Sequence, residues 1–249
     1  MLDDLKVYFS IIIPVFNEIK NINKTVLRIE ETFKACGKEY EIIFVDDNSN
    51  DGTEEEIIKI SKTNRNVRLE QHGKKEGLGA ASNFGYTKAK GEIIMQLDGD
   101  LAHNPKDLIL MYDFMQSNNL DMVIGSRYVK YGKQEGKTLL RDLGSRCMNF
   151  IAGSLLNIKL KDFTHTFRVF KREVYLSVKE NLIEKGHPSY FIELTYIALK
   201  KNFKILEFPV TYSDKDDGSD SKIPIIKESV RYIFAILRIY FGSFKKNNY

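Results

Sequence analysis

Residues 91–105 read GEIIMQLDGDLAHNP. After Glu92 the run to residue 97 is apolar almost throughout, the pattern of a strand buried on both faces. It stops on Asp98-Gly99-Asp100, and Pro105 then marks the start of a helix expected to reach about residue 117. A buried strand that ends on two acids around a glycine and passes into a helix is a building unit of a parallel α/β sheet.

The same alternation extends to both sides of this stretch. Residues 8–15 form an apolar run with a proline near its end. A helix is expected over about 22–36, with Val26, Ile29 and Phe33 on one face, caps offered by Asn17 and Asn21 to Asn23, and Gly37 as its stop. Residues 41–45 read as a second buried strand and 46–52 as a turn. A helix opens at Thr53, with Glu54, Glu55 and Glu56 placed against its positive end. Strands are expected over 67–71 and 122–124, a Gly-rich charged loop over 74–79 and a short helix over 80–89.

This order implies a Rossmann-like α/β architecture, a mostly parallel sheet with helices on both faces. Such sheets bind ligands outside the carboxyl ends of their strands. Asp46, Asp47, Asp98, Asp100 and Arg127 all fall at such ends.

The second half is less regular. Residues 128–138 are polar and expected to be mobile, 140–156 helical, and 162–170 a loop leading into a strand. Residues 190–200 read as a helix. Residues 203–212 read as a strand that Pro209 confines to an edge or an end. Residues 213–221 read as a loop and 224–244 as a helix or helix pair. One α/β domain is therefore expected over 1–222, with halves at about 1–127 and 128–222. An amphipathic appendage follows at 223–249.

Composition narrows the functional classes. With 38 basic and 34 acidic residues in 249, the net charge of +4 is too mild to call for nucleic acid. Cys36 and Cys147 form no CxxC and no Cys/His cluster, so zinc is not indicated and a reducing compartment is expected. His72, His103, His165 and His187 show no paired ligand spacing and read as loop or surface residues. The N-terminus lacks the pattern of a signal peptide, and no run reaches the roughly 18 apolar residues of a membrane span.

Asp98 and Asp100 can both face one hard cation, Mg2+ or Mn2+, while a diphosphate supplies further oxygens; the same residues also make a plain acidic turn. Asp46 and Asp47 can hydrogen-bond the ribose or base of a nucleotide, or cap the next helix as an Asx turn. Four segments, SIIIPVFNE from Ser10, EIIFVDDNSNDGT from Glu41, GLGAASNFGYTKAKGEIIMQLDGDLAHNP from Gly77 and GSRY from Gly125, together settle the choice. In order and spacing they resemble the family-2 glycosyltransferases of the GT-A fold. Within that family the chain is most similar, over about residues 8–222, to dolichyl- or polyprenyl-phosphate sugar synthases of the dolichol-phosphate mannose synthase type.

The resemblance implies roles by position. Pro14, Asn17 and Glu18 would line the base and ribose pocket, Asp46 would contact the nucleoside beside Asp47, and Asp98 and Asp100 would hold metal and donor diphosphate. Arg127, with Arg141 and Ser145 of RDLGS, resembles an acceptor-phosphate site, and guanidinium forks suit phosphate oxygens. The segment DKDDGSDSK resembles a loop closing over the diphosphate, with Lys215, Ser221 and Lys222 as phosphate contacts. Three positions depart from the family pattern: Ala102 stands where a glutamine usually completes the metal site, Lys215 where an arginine usually starts the closing loop, and Thr166 where a glycine usually precedes the FR pair.

The implied reaction is an inverting, metal-dependent transfer of a sugar from a GDP- or UDP-linked donor to a polyprenyl or dolichyl phosphate. A phosphate monoester, with a second pKa of about 6, needs positioning more than a general base. Transfer to a sugar hydroxyl of a surface polysaccharide or lipid-linked glycan is an alternative, as is a weakly active nucleotide-sugar-binding partner subunit. A dehydrogenase is disfavoured because no GxGxxG follows the first strand. From residue 223 on, Ile226, Val230, Ile233, Phe234, Leu237, Tyr240, Phe241 and Phe244 recur at helical spacing beside a stripe of Lys227, Arg231, Arg238 and Lys245. That pattern reads equally as a helix lying on a membrane surface or as one packed on the fold or at a dimer contact. Peripheral attachment to the cytoplasmic face of a membrane is the expectation, with a membrane-protein partner or a second copy of the chain left open.

Overall fold

Side-chain parity along the first strand, β1 (Phe9–Val15), decides how the molecule is layered. Ile11 and Ile13 point into one core and Ile12 into another. The first core is closed by α1 (Ile19–Phe33), through Ile22, Val26, Ile29 and Phe33, and by α4 (Lys106–Ser117), through Leu108, Met111 and Met115. The second is closed by α3 (Leu78–Lys88), α5 (Leu139–Leu156), α6 (Arg172–Val178), α7 (Tyr190–Lys200) and α8 (Ile225–Lys246). A sheet covered on both faces explains why its strands are continuously apolar rather than alternating.

The computed structural model describes residues 7–71, 73, 75–136, 139–183, 189–213 and 225–246, with the backbone alone at 139–141, 225–231 and 243–246. The remaining strands are β2 (Tyr40–Asp46), β3 (Val67–Gln71), β4 (Ile93–Gln96), β5 (Met122–Ser126), β6 (Lys133–Glu135), β7 (Arg168–Lys171), β8 (Ile205–Pro209) and β9 (Thr211–Ser213), and α2 spans Thr53–Ser61. The large sheet runs β3-β2-β1-β4-β7-β5-β8. The chain steps outward from β1 through β2 to β3 and then returns to the far side of β1 as β4. The strand order therefore reverses between β1 and β4, and the crevice at that switch point faces the carboxyl ends of both.

The expected mostly parallel sheet holds, with one exception. Strand β7 is antiparallel to both of its neighbours, pairing Gln96 and Ile124 with Arg168. Its amino end therefore lies where β4 and β5 have their carboxyl ends, which delivers residues 162–167 to the crevice.

Several local expectations need correction. Helix α1 starts at Ile19, and no side chain caps it; Asn17, in a left-handed conformation (φ 57°), bonds to the loop after β2 instead. The segment 128–138 is not irregular throughout: β6 pairs in parallel with β9, Gln134 opposite Tyr212. Its polarity suits a small exposed sheet, and its partner lies too far along the chain to be read locally. The strand expected over 203–212 divides at Val210 into β8, at the sheet edge, and β9. Helix α6 has too few turns to show an amphipathic period in the sequence.

Helix α8 packs against α5 and buries Ala235, Ile236 and Ile239, each isoleucine contributing about 1.5–3 kcal/mol. Its outer face carries Phe234 and Phe241, 65% and 62% exposed, on either side of Arg238. Among the described residues no helix is long and apolar enough to cross a membrane.

Candidate active site

The loops after β1 and β2 are stitched together. The Asn17 N–H donates to Ser49 Oγ at 2.8 Å, the Asn50 N–H to Asn17 Oδ1 at 3.0 Å, and the Glu18 N–H to Thr53 Oγ1 at 2.9 Å. Gly52, with φ 95°, gives the left-handed residue that lets α2 begin there. Asp46 is buried and accepts the backbone and hydroxyl of Ser49. Asp47 is also buried, and its two carboxylate oxygens accept the N–H groups of Glu76 and Gly77, both at 2.9 Å. That bonding fixes the loop leading into α3. Pro14 lies buried within β1, and its carbonyl faces Gly99.

The Asp98-Gly99-Asp100 turn leaves β4 at the switch point. A Cβ at Gly99 would stand 2.7 Å from Val15 Cγ1, so glycine is what allows the turn to lie against the end of β1. Leu101 completes the turn with φ 64°, a conformation costly for a branched residue. The Ala102 N–H donates to Asp100 Oδ1 at 2.9 Å. The crowding protein and then the Asp98 charge push the Asp100 carboxyl up to about 6, although part of it is open to solvent. Asp98 Oδ2 accepts Thr166 Oγ1 at 2.8 Å, while Oδ1 is buried with no hydrogen-bond partner among the described residues. A buried acceptor without a donor beside a second crowded carboxylate is what a divalent cation satisfies. Mg2+ or Mn2+ thus fits these two side chains. No group of three His, Cys, Asp or Glu that could hold a metal occurs among the described residues, so diphosphate and water would complete the shell, as Ala102 implies.

Arg127, at the end of β5, is not the open cation the sequence suggests. Its Nε and Nη2 donate to Asp162 Oδ2 and Oδ1, both at 2.8 Å, and its backbone N–H reaches Oδ2 at 2.9 Å. Nη1 donates to Gln134 at 3.0 Å, and Nη2 lies 3.5 Å from Ser145 Oγ. Burial works against the charge of Arg127, and Asp162 more than restores it. Asp162 is held in turn through its N–H by Glu207 at 2.7 Å. Arg127 and Ser145 thus lie within 3.5 Å of each other. Arg141 lies one helical turn before Ser145 on α5, its side chain outside the described residues. Beside them a groove of about 480 Å³ is lined by Tyr128, Arg146, Asn149, Phe150, Ile158 and Leu160, among others.

Lys215, Ser221 and Lys222 lie outside the described residues, as do His72 and His187. The chain enters that segment beside the acidic turn, because the Ser213 N–H donates to the Ala102 carbonyl at 3.0 Å.

His103 and His165, expected as loop or surface residues, are both buried. His103 stacks on Phe167 with ring centroids 4.3 Å apart and planes 9° apart, and its Nε2 faces Asp98 Oδ2 at 3.4 Å. His165 is 4.9 Å from His103, centroid to centroid, and its Nδ1 bonds the Gly125 carbonyl at 2.6 Å. Burial, followed by the nearby Arg127, holds the His165 ring well below the usual histidine range, so it is neutral. Arg168, also fully buried, donates to the carbonyls of His165 and Thr166 and so fixes this loop. The adjacency of His103 to the acidic turn was the one signal available in the sequence; His165 had none, because β7 brings it in from far along the chain.

The comparisons agree with this architecture. The dolichol-phosphate mannosyltransferase of Pyrococcus furiosus is 32% identical over 233 residues, 92% of this chain and 63% of that protein. The dodecaprenyl-phosphate galacturonate synthase of Rhizobium johnstonii is 27% identical over 93% of this chain and 66% of its own length. The polyprenol monophosphomannose synthase of Mycolicibacterium smegmatis is 29% identical, covering 84% and 78%. This chain thus spans about two thirds of the length of the first two relatives. Among solved structures, glucosyl-3-phosphoglycerate synthase from Mycobacterium tuberculosis with UDP superposes with a TM-score of 0.69 at 16% identity, over 94% of this chain and 80% of that one, which places the fold in the GT-A group. A model of Glycosyl transferase family 2 matches residues 10–178, and with that match over most of its length the chain belongs to this family.

Proposed function

We propose that the chain is an inverting glycosyltransferase that moves a sugar from a nucleoside diphosphate to a polyprenyl phosphate. The observation that carries the reading is the acidic turn at the switch point, where Asp98 keeps a buried oxygen without a partner among the described residues beside Asp100. Its relatives are named for sugar transfer to lipid phosphates, and a solved neighbour was crystallised with Mn2+ and UDP.

Asp98 and Asp100 would hold Mg2+ or Mn2+, which neutralises charge growing on the departing diphosphate. Asn17, Glu18 and Asp46 would receive the nucleoside from the stitched loops above, with Pro14 behind them. Asp47 would keep the adjoining wall in place. Lys215, Ser221 and Lys222 would close over the diphosphate. Arg127, Arg141 and Ser145 would position the acceptor phosphate, already ionised at neutral pH, for attack on the anomeric carbon. The apolar side of the adjoining groove, Phe150 and Ile158, suits the first isoprene units.

Peripheral attachment to a membrane follows from the same acceptor. Phe234 and Phe241 on the outer face of α8 would enter the interface, with Arg238 near anionic head groups. Replacing both phenylalanines by serine should release the protein from vesicles without lowering its melting temperature; unchanged vesicle binding would remove α8 from this role.

The test is transfer with a panel of GDP- and UDP-sugars, Mg2+ or Mn2+ and a short polyprenyl phosphate, run beside Asp100→Ala. Metal-dependent lipid product that disappears in the variant is expected. Donor hydrolysis without lipid product would favour the second reading, transfer to a glycan hydroxyl. The observation on that side is that Asp162 already occupies most of the Arg127 fork. Arg127→Ala and Arg141→Ala should cripple lipid-phosphate transfer more than hydroxyl transfer.

A further inference from the structure

The acidic turn rests against an aromatic block the proposed reaction does not use: His103 on Phe167, with His165 and Tyr212 at its edges, at centroid distances of 4.3, 4.9 and 5.0 Å from the His103 ring. Neither nitrogen of the His103 ring has a hydrogen-bond partner among the described residues, although the residue is 1% exposed. A buried imidazole without partners costs stability, so its place needs a reason. The stack holds the ring so that Nε2 faces Asp98 Oδ2 at 3.4 Å, the oxygen that already accepts Thr166 Oγ1 at 2.8 Å. The other oxygen, Oδ1, is buried and has no partner among the described residues.

We propose that His103 is a positioning residue for the cation site: its Nε2–H and the Thr166 hydroxyl take one oxygen of Asp98 and thereby hold the other toward the metal. The inference rests on the reading of Asp98 and Asp100 as cation ligands. A carboxylate free to turn about its side-chain bonds can swing, or bind a cation through both oxygens; the Thr166 hydrogen bond to Oδ2, with the His103 Nε2–H held 3.4 Å from the same oxygen and able to tighten onto it when the metal arrives, restrains both. Groups that orient a ligand in this way commonly change metal affinity on the order of 10–100-fold when removed. The neutral Nε2–H tautomer is sufficient. The stack on Phe167 supplies the orientation, and Arg168, through the carbonyls of His165 and Thr166, keeps the second donor in place.

Two substitutions separate the donor from the stack. His103→Phe keeps an aromatic ring on Phe167 and loses the N–H; His103→Gln keeps an N–H and loses the ring. Mn2+ binding to the full chain would be followed by the electron paramagnetic resonance of free Mn2+, with GDP or UDP present, and folding by the melting temperature without metal. His103→Phe should bind Mn2+ at least tenfold more weakly and His103→Gln close to wild type. If either variant fails to fold, Thr166→Val, which removes the other donor to the same oxygen, carries the test and should also weaken Mn2+. Wild-type affinity in His103→Phe or in Thr166→Val, or equal weakening in His103→Phe and His103→Gln, would overturn the proposal. A wild-type protein that binds no Mn2+ with either nucleotide would instead defeat the cation reading itself, and the inference with it.

Discussion

The two sides of the crevice handle crowded charge in opposite ways. At the end of β4, Asp98 keeps an oxygen without a partner among the described residues, and Asp100 is pushed up to about 6 by crowding and by Asp98. At the end of β5, Arg127 meets Asp162 through two side-chain bonds of 2.8 Å, and Asp162 is fully buried. The first arrangement is unfavourable by itself and would be relieved by a cation, as proposed above. The second is satisfied by the fold itself, so a phosphate there would meet a rigid guanidinium with only its outer N–H groups to share. A site kept open for a metal must tolerate repulsion, whereas a site that orients an anion gains more from rigidity than from spare charge.

Four measurements press on this contrast. The largest effect is expected from Asp98→Ala and Asp100→Ala, which should lower transfer on the order of 10³-fold while leaving the apo protein folded. A comparable loss of folding in either would mean that the turn is structural. Asp162→Ala should do the reverse: with Arg127 left buried and unpaired, unfolding by denaturant should show a loss of about 3–5 kcal/mol. A loss below 1 kcal/mol would show the pair to be loose.

The third concerns pH. A cation on Asp100 must displace the proton that the apo protein takes up near pH 6, so Mn2+ binding should release protons and weaken about tenfold per pH unit below that value. Calorimetry in buffers of different ionisation enthalpy would detect the release, and flat affinity from pH 7 to 5 would rule it out. The smallest effect is on apo stability. Because the folded carboxyl of Asp100 titrates above its unfolded value, its charged form is the disfavoured one. Asp100→Asn should then raise the melting temperature by a few degrees above pH 6, with the gain fading as pH falls toward 4.

The sequence alone determined the order of strands and helices through α4, the placement of Asp46, Asp98, Asp100 and Arg127 at strand ends, and the kinship to glycosyltransferases. The order and the placement follow from periodicity and from turn residues, which act between near neighbours, and the kinship from the resemblance carried by the four motif segments. Helix α7 was legible to the residue from the same periodicity; α8 was legible as a helix, but the face it buries, Ala235, Ile236 and Ile239, is not the apolar stripe read from the sequence, whose Ile233, Phe234 and Phe241 are exposed. Tertiary structure alone decided that β7 enters the sheet antiparallel, carrying Thr166 and His165 to Asp98, and that Asp162 claims Arg127 from 35 residues away. It also decided that His103 turns inward onto Phe167 rather than out to solvent. Such pairings are chosen when whole strands assemble into a buried sheet. Their free energy comes from desolvation and packing between residues the local pattern cannot connect.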